Sequence, residues 1–167
     1  MRATGSHEAA IAHAATLGVV AGMRSQLPLA LLALRTQREP AAQRPATYGP
    51  FPAAPLRALA GLAAVGELIG DKLPMTPSRL EPGPLTARLA IGAVAGGILA
   101  GGAGGSRVAG ALSGASGAGL GAFAGYHLRR WAGQVTGLPD PLFGAVEDGV
   151  AIALGLWATQ SITKFRE

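Results

Sequence analysis

Charged residues fall in clusters along this chain and leave long apolar intervals between them. Two intervals carry no charge over a membrane-crossing length, Leu89 to Ser106 and Val108 to Leu128. About 20 helical residues at 1.5 Å each traverse a hydrocarbon core of about 30 Å, so each interval predicts one spanning helix. Only Arg107 separates them, next to Gly104-Gly105-Ser106, which predicts a tight helical hairpin. Three further apolar segments hold charges: Glu8 to about Leu34 with Arg24 and Pro28, Leu56 to about Leu73 with Glu67, Asp71 and Lys72, and Pro141 to about Lys164 with Glu147-Asp148. The pattern predicts an all-α, polytopic transmembrane helix bundle of about five spans. Four is an alternative, as is six if Pro28 divides the first segment.

Prolines place the connections. Residues 35–55 are rich in Pro and Arg, and residues 73–84 hold Pro74, Pro77, Pro82 and Pro84. Neither stretch suits a helix interior, so both are expected as loops within a single transmembrane domain over 1–167. A shorter loop runs from Gly133 to Pro141, with Asp140 expected to cap the last helix.

Composition supports lipid over water. Charged residues are 14% of the chain, against roughly 25% in soluble domains. Aromatics are 5% and glycines number 26, so a soluble core would bury little side-chain area per residue. In a bilayer, small residues let helices approach closely. There is no cysteine, which excludes disulfides and thiolate chemistry. The net charge of +5 is spread over scattered arginines with few aromatics, which argues against nucleic acid as a partner. With five spans the basic residues, Arg24 aside, divide seven against six between the two sides, so orientation is undetermined and an antiparallel dimer is compatible.

Glycines recur four apart: Gly92-Gly96, Gly97-Gly101-Gly105, Gly110-Gly114 and Gly117-Gly121-Gly125. That spacing places them on common helix faces, giving glycine-rich packing surfaces for neighbouring helices or a homo-oligomer. The charges inside apolar sequence are the second pattern. Ionisable groups at membrane depth face a partner or a wet cavity. Arg24 is expected to hold an anionic group or to pair with Glu67 and Glu147. Glu67 and Asp71, four apart, share a helix face. With Lys72, Arg79, Glu147 and Asp148 they form the candidate substrate- or ion-binding set.

No complete catalytic or metal motif is present. His7, His13 and His127 have no zinc-binding spacing, so neither enzymatic activity nor a cofactor is expected. Three blocks carry a resemblance: Val20-Ala21-Gly22-Met23-Arg24-Ser25, the run from Glu67 to Arg79, and Pro139-Asp140-Pro141-Leu142 with Glu147-Asp148. On these motifs the chain resembles a family of bacterial membrane proteins, domain of unknown function 4126, over most of its length. The resemblance implies a multi-pass protein of the bacterial inner (cytoplasmic) membrane and no particular activity. The expected function is a small permease or a lipid- or small-solute-binding protein. The alternative is a structural protein that oligomerises through its glycine faces. Expected partners are membrane lipids, further copies of the chain, and a small solute or anionic ligand.

Overall fold

Six helices and no strand form among the described residues of the computed structural model, which are 2–38, 54–70 and 78–164. They are α1 (Arg2–Met23), α2 (Leu27–Arg38), α3 (Ala54–Gly70), α4 (Pro82–Gly102), α5 (Arg107–Thr136) and α6 (Asp140–Lys164). The first apolar segment is therefore two helices, broken at Arg24-Ser25-Gln26. In an unbroken helix the Pro28 ring would clash with the carbonyl of Arg24, four residues back. Here Pro28 sits in the first turn of α2, where its missing N–H costs nothing, and the Arg24 carbonyl accepts from Leu27 N–H at 3.3 Å.

The loops are shorter than the prolines suggest. Residues 35–38 continue α2, and Pro55 lies in the first turn of α3. Pro82 and Pro84 open α4, again within a first turn. Of the rest of the two expected loops, 78–81 form a turn before α4, and 39–53 and 73–77 lie outside the described residues.

Direction alternates along the chain. Leu32 of α2 packs with Leu17 and Ala14 of α1, and Leu27 and Leu31 with Val20, so α2 folds back along α1. The α4–α5 hairpin turns on Gly104, at φ 77°, and Ser106 caps α5 by accepting from Ala109 N–H at 3.2 Å. Gly137, at φ 65°, closes α5 before α6 returns.

Glycines bring α1, α4 and α5 into backbone contact. A methyl group at Gly92 would lie 2.6 Å from the Gly114 carbonyl oxygen, and one at Gly96 would lie 3.0 Å from Gly114 Cα. On the other face of α5, a methyl at Gly117 would meet Val19 N at 3.0 Å, and one at Gly121 would meet Val19 Cα at 2.9 Å. Gly110 is buried against Gly96 and Ala100, and Gly97 rests on Arg107 and Ala111. The predicted faces at Gly92, Gly96, Gly97, Gly110, Gly114, Gly117 and Gly121 are thus occupied within one chain.

The polarity of the molecule is inverted. Most of its buried apolar residues are alanines, and Arg24, Arg88 and Thr159 are buried with them. Large apolar side chains face outwards instead, among them Leu112, Leu120, Phe123, Trp131, Val146 and Trp157. Among the described residues two helical stretches, Pro82–Gly102 and Asp140–Gln160, are long and apolar enough to cross a membrane. Helix α5 has the length, but glycine and serine dilute its apolarity. At 12 residues, about 18 Å, α2 is too short to cross.

Candidate functional site

The alternation of helix direction collects charge at one end of the bundle. The end of α1, the start of α2, the end of α3, the start of α4, the end of α5 and the start of α6 all lie there. Each but the start of α2 brings an ionisable group, and the start of α2 brings N–H groups that its own helix leaves unpaired.

At the centre is the reversal between α1 and α2, whose helix ends are held by side chains from elsewhere. The last carbonyls of α1 need donors. Arg88 of α4 supplies Nη1 to the Gly22 carbonyl at 3.1 Å and to the Ala21 carbonyl at 3.5 Å. Arg24 Nη1 donates to the Met23 carbonyl at 3.0 Å. The N–H groups at the start of α2 need acceptors, and Glu67 of α3 provides them. Its Oε1 accepts from Ser25 N–H and Ser25 Oγ, both at 2.7 Å, and its Oε2 accepts from Gln26 N–H at 2.8 Å. The signs match the helix dipoles: an anion at the α2 N-terminus and cations at the α1 C-terminus. Arg88 Nη2 closes the circuit on Glu67 Oε1 at 3.4 Å.

Arg24 reaches the other way. Its Nε meets Asp148 Oδ1 of α6 at 2.5 Å, and the side chain is 1% exposed. Asp148 is thus an acid across from it, one that the sequence reading did not offer as its partner. Glu67 is engaged by the helix break and Arg88. Glu147 forms a fork with Arg79, which stands just before α4; the Nη1–Oε1 contact is joined by Nη2–Oε2 at 3.1 Å. Arg129 of α5 approaches Glu147 Oε2 at 3.7 Å and grips Asp140 through Nε–Oδ1 at 2.6 Å and Nη2–Oδ2. Asp140 therefore gives both oxygens to Arg129, where the sequence suggested a helix cap.

Gly125 has a different neighbour from the other glycines of α5. A methyl there would lie 2.8 Å from both Arg79 Nη1 and Glu147 Oε1, so glycine makes room for that ion pair. Gly144 likewise lies against the Arg129 guanidinium. Beside this network a cavity of about 230 Å³ opens between α5 and α6, with Arg129 and Glu147 in an otherwise apolar wall.

Of the predicted site residues, Arg24, Glu67, Arg79, Glu147 and Asp148 come together. Asp71 and Lys72 lie outside the described residues. Arg88 and Arg129 were missed. Both lie next to charge-free spans and read as flanking charges. For Arg88 the sequence held no separate signal: it stands six residues into α4, past the first turn where the helix dipole acts, and its partners come from α1 and α3. Comparison with protein-family models, with curated proteins and with solved structures finds no match.

Proposed function

We propose that the protein is a multi-pass protein of the bacterial inner membrane that binds a small solute at this charged end and passes it across. The observation that carries the reading is the inverted polarity: arginines and carboxylates inside, large apolar side chains outside. In water that exterior is a large exposed apolar patch; in lipid it is an ordinary surface. The motif resemblance to domain of unknown function 4126 points the same way.

Within a bilayer, α4, α5 and α6 cross, and α1–α2 forms a re-entrant hairpin. Its tip lies level with Arg88, six residues into α4, and Asp148, eight residues into α6. At 1.5 Å per residue the tip is about 9–12 Å inside the bundle end. Non-helical backbone at membrane depth is tolerated where protein buries it and its polar groups are satisfied. Broken helices of this kind build solute sites in secondary transporters. Here the broken ends present N–H groups and guanidinium groups that Glu67 now occupies, so a solute carboxylate or other small anion competes directly with Glu67.

The test is anion flux and binding in liposomes containing the full chain. Glu67→Gln and Arg88→Gln are expected to change flux about tenfold or more, as loss of one charge-assisted contact implies. Wild-type flux in variants that remain folded would sink the solute reading.

A structural reading has one observation in its favour: the buried carboxylates are matched by arginines of the same chain. On that reading the charges only staple the hairpin. Assembly through the glycine faces would have to use other glycines than Gly92, Gly96, Gly114, Gly117 and Gly121, which pack against neighbouring helices of the same chain.

A further inference from the structure

Helices α5 and α6 separate beside the ion-pair network. The cavity between them is walled by Leu128 and Ala132 on α5, and by Phe143, Val146 and Val150 on α6, with Met23 at its back. Leu128 and Val146 line it and are still more than half exposed, so it opens outwards. Arg129 and Glu147 border it as well, chiefly through apolar atoms, with their charged groups turned to the ion-pair network beside it.

We propose that this cavity binds an anionic phospholipid of the surrounding bilayer, with the phosphate on Arg129 and an acyl chain between α5 and α6. The proposal rests on the membrane reading above and names a ligand for the same end of the bundle.

Three observations converge on that occupant. The first is the way Arg129 is held. Its guanidinium fork grips Asp140 through two parallel bonds, the geometry that a phosphate also satisfies. Arg129 is 15% exposed and Asp140 67%, so Asp140 is the partner that can swing into solvent and give up its place on the fork to a phosphate. The second is the local charge. Arg79 and Arg129 both face Glu147, which is one buried carboxylate for two guanidinium groups. With Asp140 displaced, this end is short of one negative charge, so a headgroup of net charge −1 fits better than a zwitterion. The third is position. Arg130 and Trp131 follow Arg129 and are exposed, and tryptophan and basic residues favour the headgroup level of a membrane. The apolar walls run from there towards Val150, three turns into α6, as an acyl chain runs from its headgroup.

The experiment is native mass spectrometry of the delipidated full chain in non-ionic detergent, titrated with phosphatidylglycerol, phosphatidylcholine or inorganic phosphate. Phosphatidylglycerol is expected to bind about tenfold more tightly than phosphatidylcholine, the scale of one charge-assisted contact. Inorganic phosphate, lacking the chain, is expected to bind far more weakly than either. Arg129→Gln should remove the preference. Val146→Trp should fill the cavity and weaken both lipids. Asp140→Asn should tighten phosphatidylglycerol several-fold, a gain that misfolding does not mimic. Equal binding of the two lipids, phosphate binding as tight as phosphatidylglycerol, or an Asp140→Asn variant with no gain would each overturn the proposal. Carbonate extraction of bacterial membranes tests the underlying reading separately. Release of the chain into the soluble fraction would refute membrane residence, whereas a retained chain without lipid preference would refute only the lipid site.

Discussion

Arg24 is the residue on which the reversal depends. It is almost wholly enclosed, and it ties the end of α1 to Asp148 of α6 while satisfying the Met23 carbonyl. Removing one member of a buried ion pair leaves the other charged and desolvated, at about 3–5 kcal/mol. Replacing both by apolar groups of similar volume is often neutral. Arg24→Met and Asp148→Leu should therefore each lower the unfolding midpoint sharply in detergent, and the double variant should recover most of the loss. Additive losses in the double-mutant cycle would show that the two side chains act independently. Glu67 differs, because its oxygens serve backbone N–H groups as well as Arg88. Glu67→Gln keeps one acceptor oxygen and gives up the charge, so it should destabilise less than Glu67→Ala, a ranking that the same melts would check. Sequence marked Arg24, Glu67, Glu147 and Asp148 because charge is rare in apolar segments. It offered Glu67 and Glu147 as partners for Arg24 and passed over Asp148, since a partner depends on which helix ends meet, and six ends meet here.

At the scale of the helix, a glycine's role depends on what faces it. Gly114 lies between two partners, with Gly92 and Gly96 of α4 on one side and Gly18 of α1 on the other. Gly149 of α6 faces open space. Gly114→Ala should therefore cost about 1–3 kcal/mol through overpacking. Gly149→Ala should be neutral or stabilising by up to about 1 kcal/mol, because alanine is the better helix former. Thermal unfolding of the two variants side by side checks the contrast, and equal effects would contradict the packing. The four-residue glycine period was legible because it is local, and so were the hairpin at Gly104-Gly105-Ser106 and the all-helical class. The break at Arg24–Gln26 was only half legible. Pro28 announced it, but a proline can kink a helix, break it or open the next one, and the side chains that decide come from α3, α4 and α6. Pro82 and Pro84 misled in the same way: their ring suits a loop and a first helical turn equally.

For the whole molecule, six alternating helices rearrange the charge balance that five spans left undecided. At the end holding the hairpin tip, the described residues include five basic groups (Arg24, Arg79, Arg88, Arg129 and Arg130) and five acidic ones (Glu67, Glu81, Asp140, Glu147 and Asp148). At the opposite end are Arg2, Arg35, Arg38, Arg57, Arg107 and Lys164, with Glu8 as the acid. Positive charge near membrane-spanning ends is retained on the cytoplasmic side. At the tip end, four of the five arginines are also engaged by carboxylates. In the membrane reading, the basic count of six against five, with Arg24 and Arg88 of the five buried within the bundle, places the α4–α5 turn in the cytoplasm and the α5–α6 turn, with the ion-pair network beneath it, outside. The absence of cysteine makes this directly measurable. Ser106→Cys places a thiol in the α4–α5 turn, and Leu138→Cys places one in the α5–α6 turn. In intact spheroplasts a membrane-impermeant maleimide should label Leu138→Cys at once and Ser106→Cys only after permeabilisation. The reverse pattern would invert the orientation and put the charged end in the cytoplasm. Equal labelling of both sites before permeabilisation would mean insertion in two orientations, and would return the antiparallel dimer to consideration.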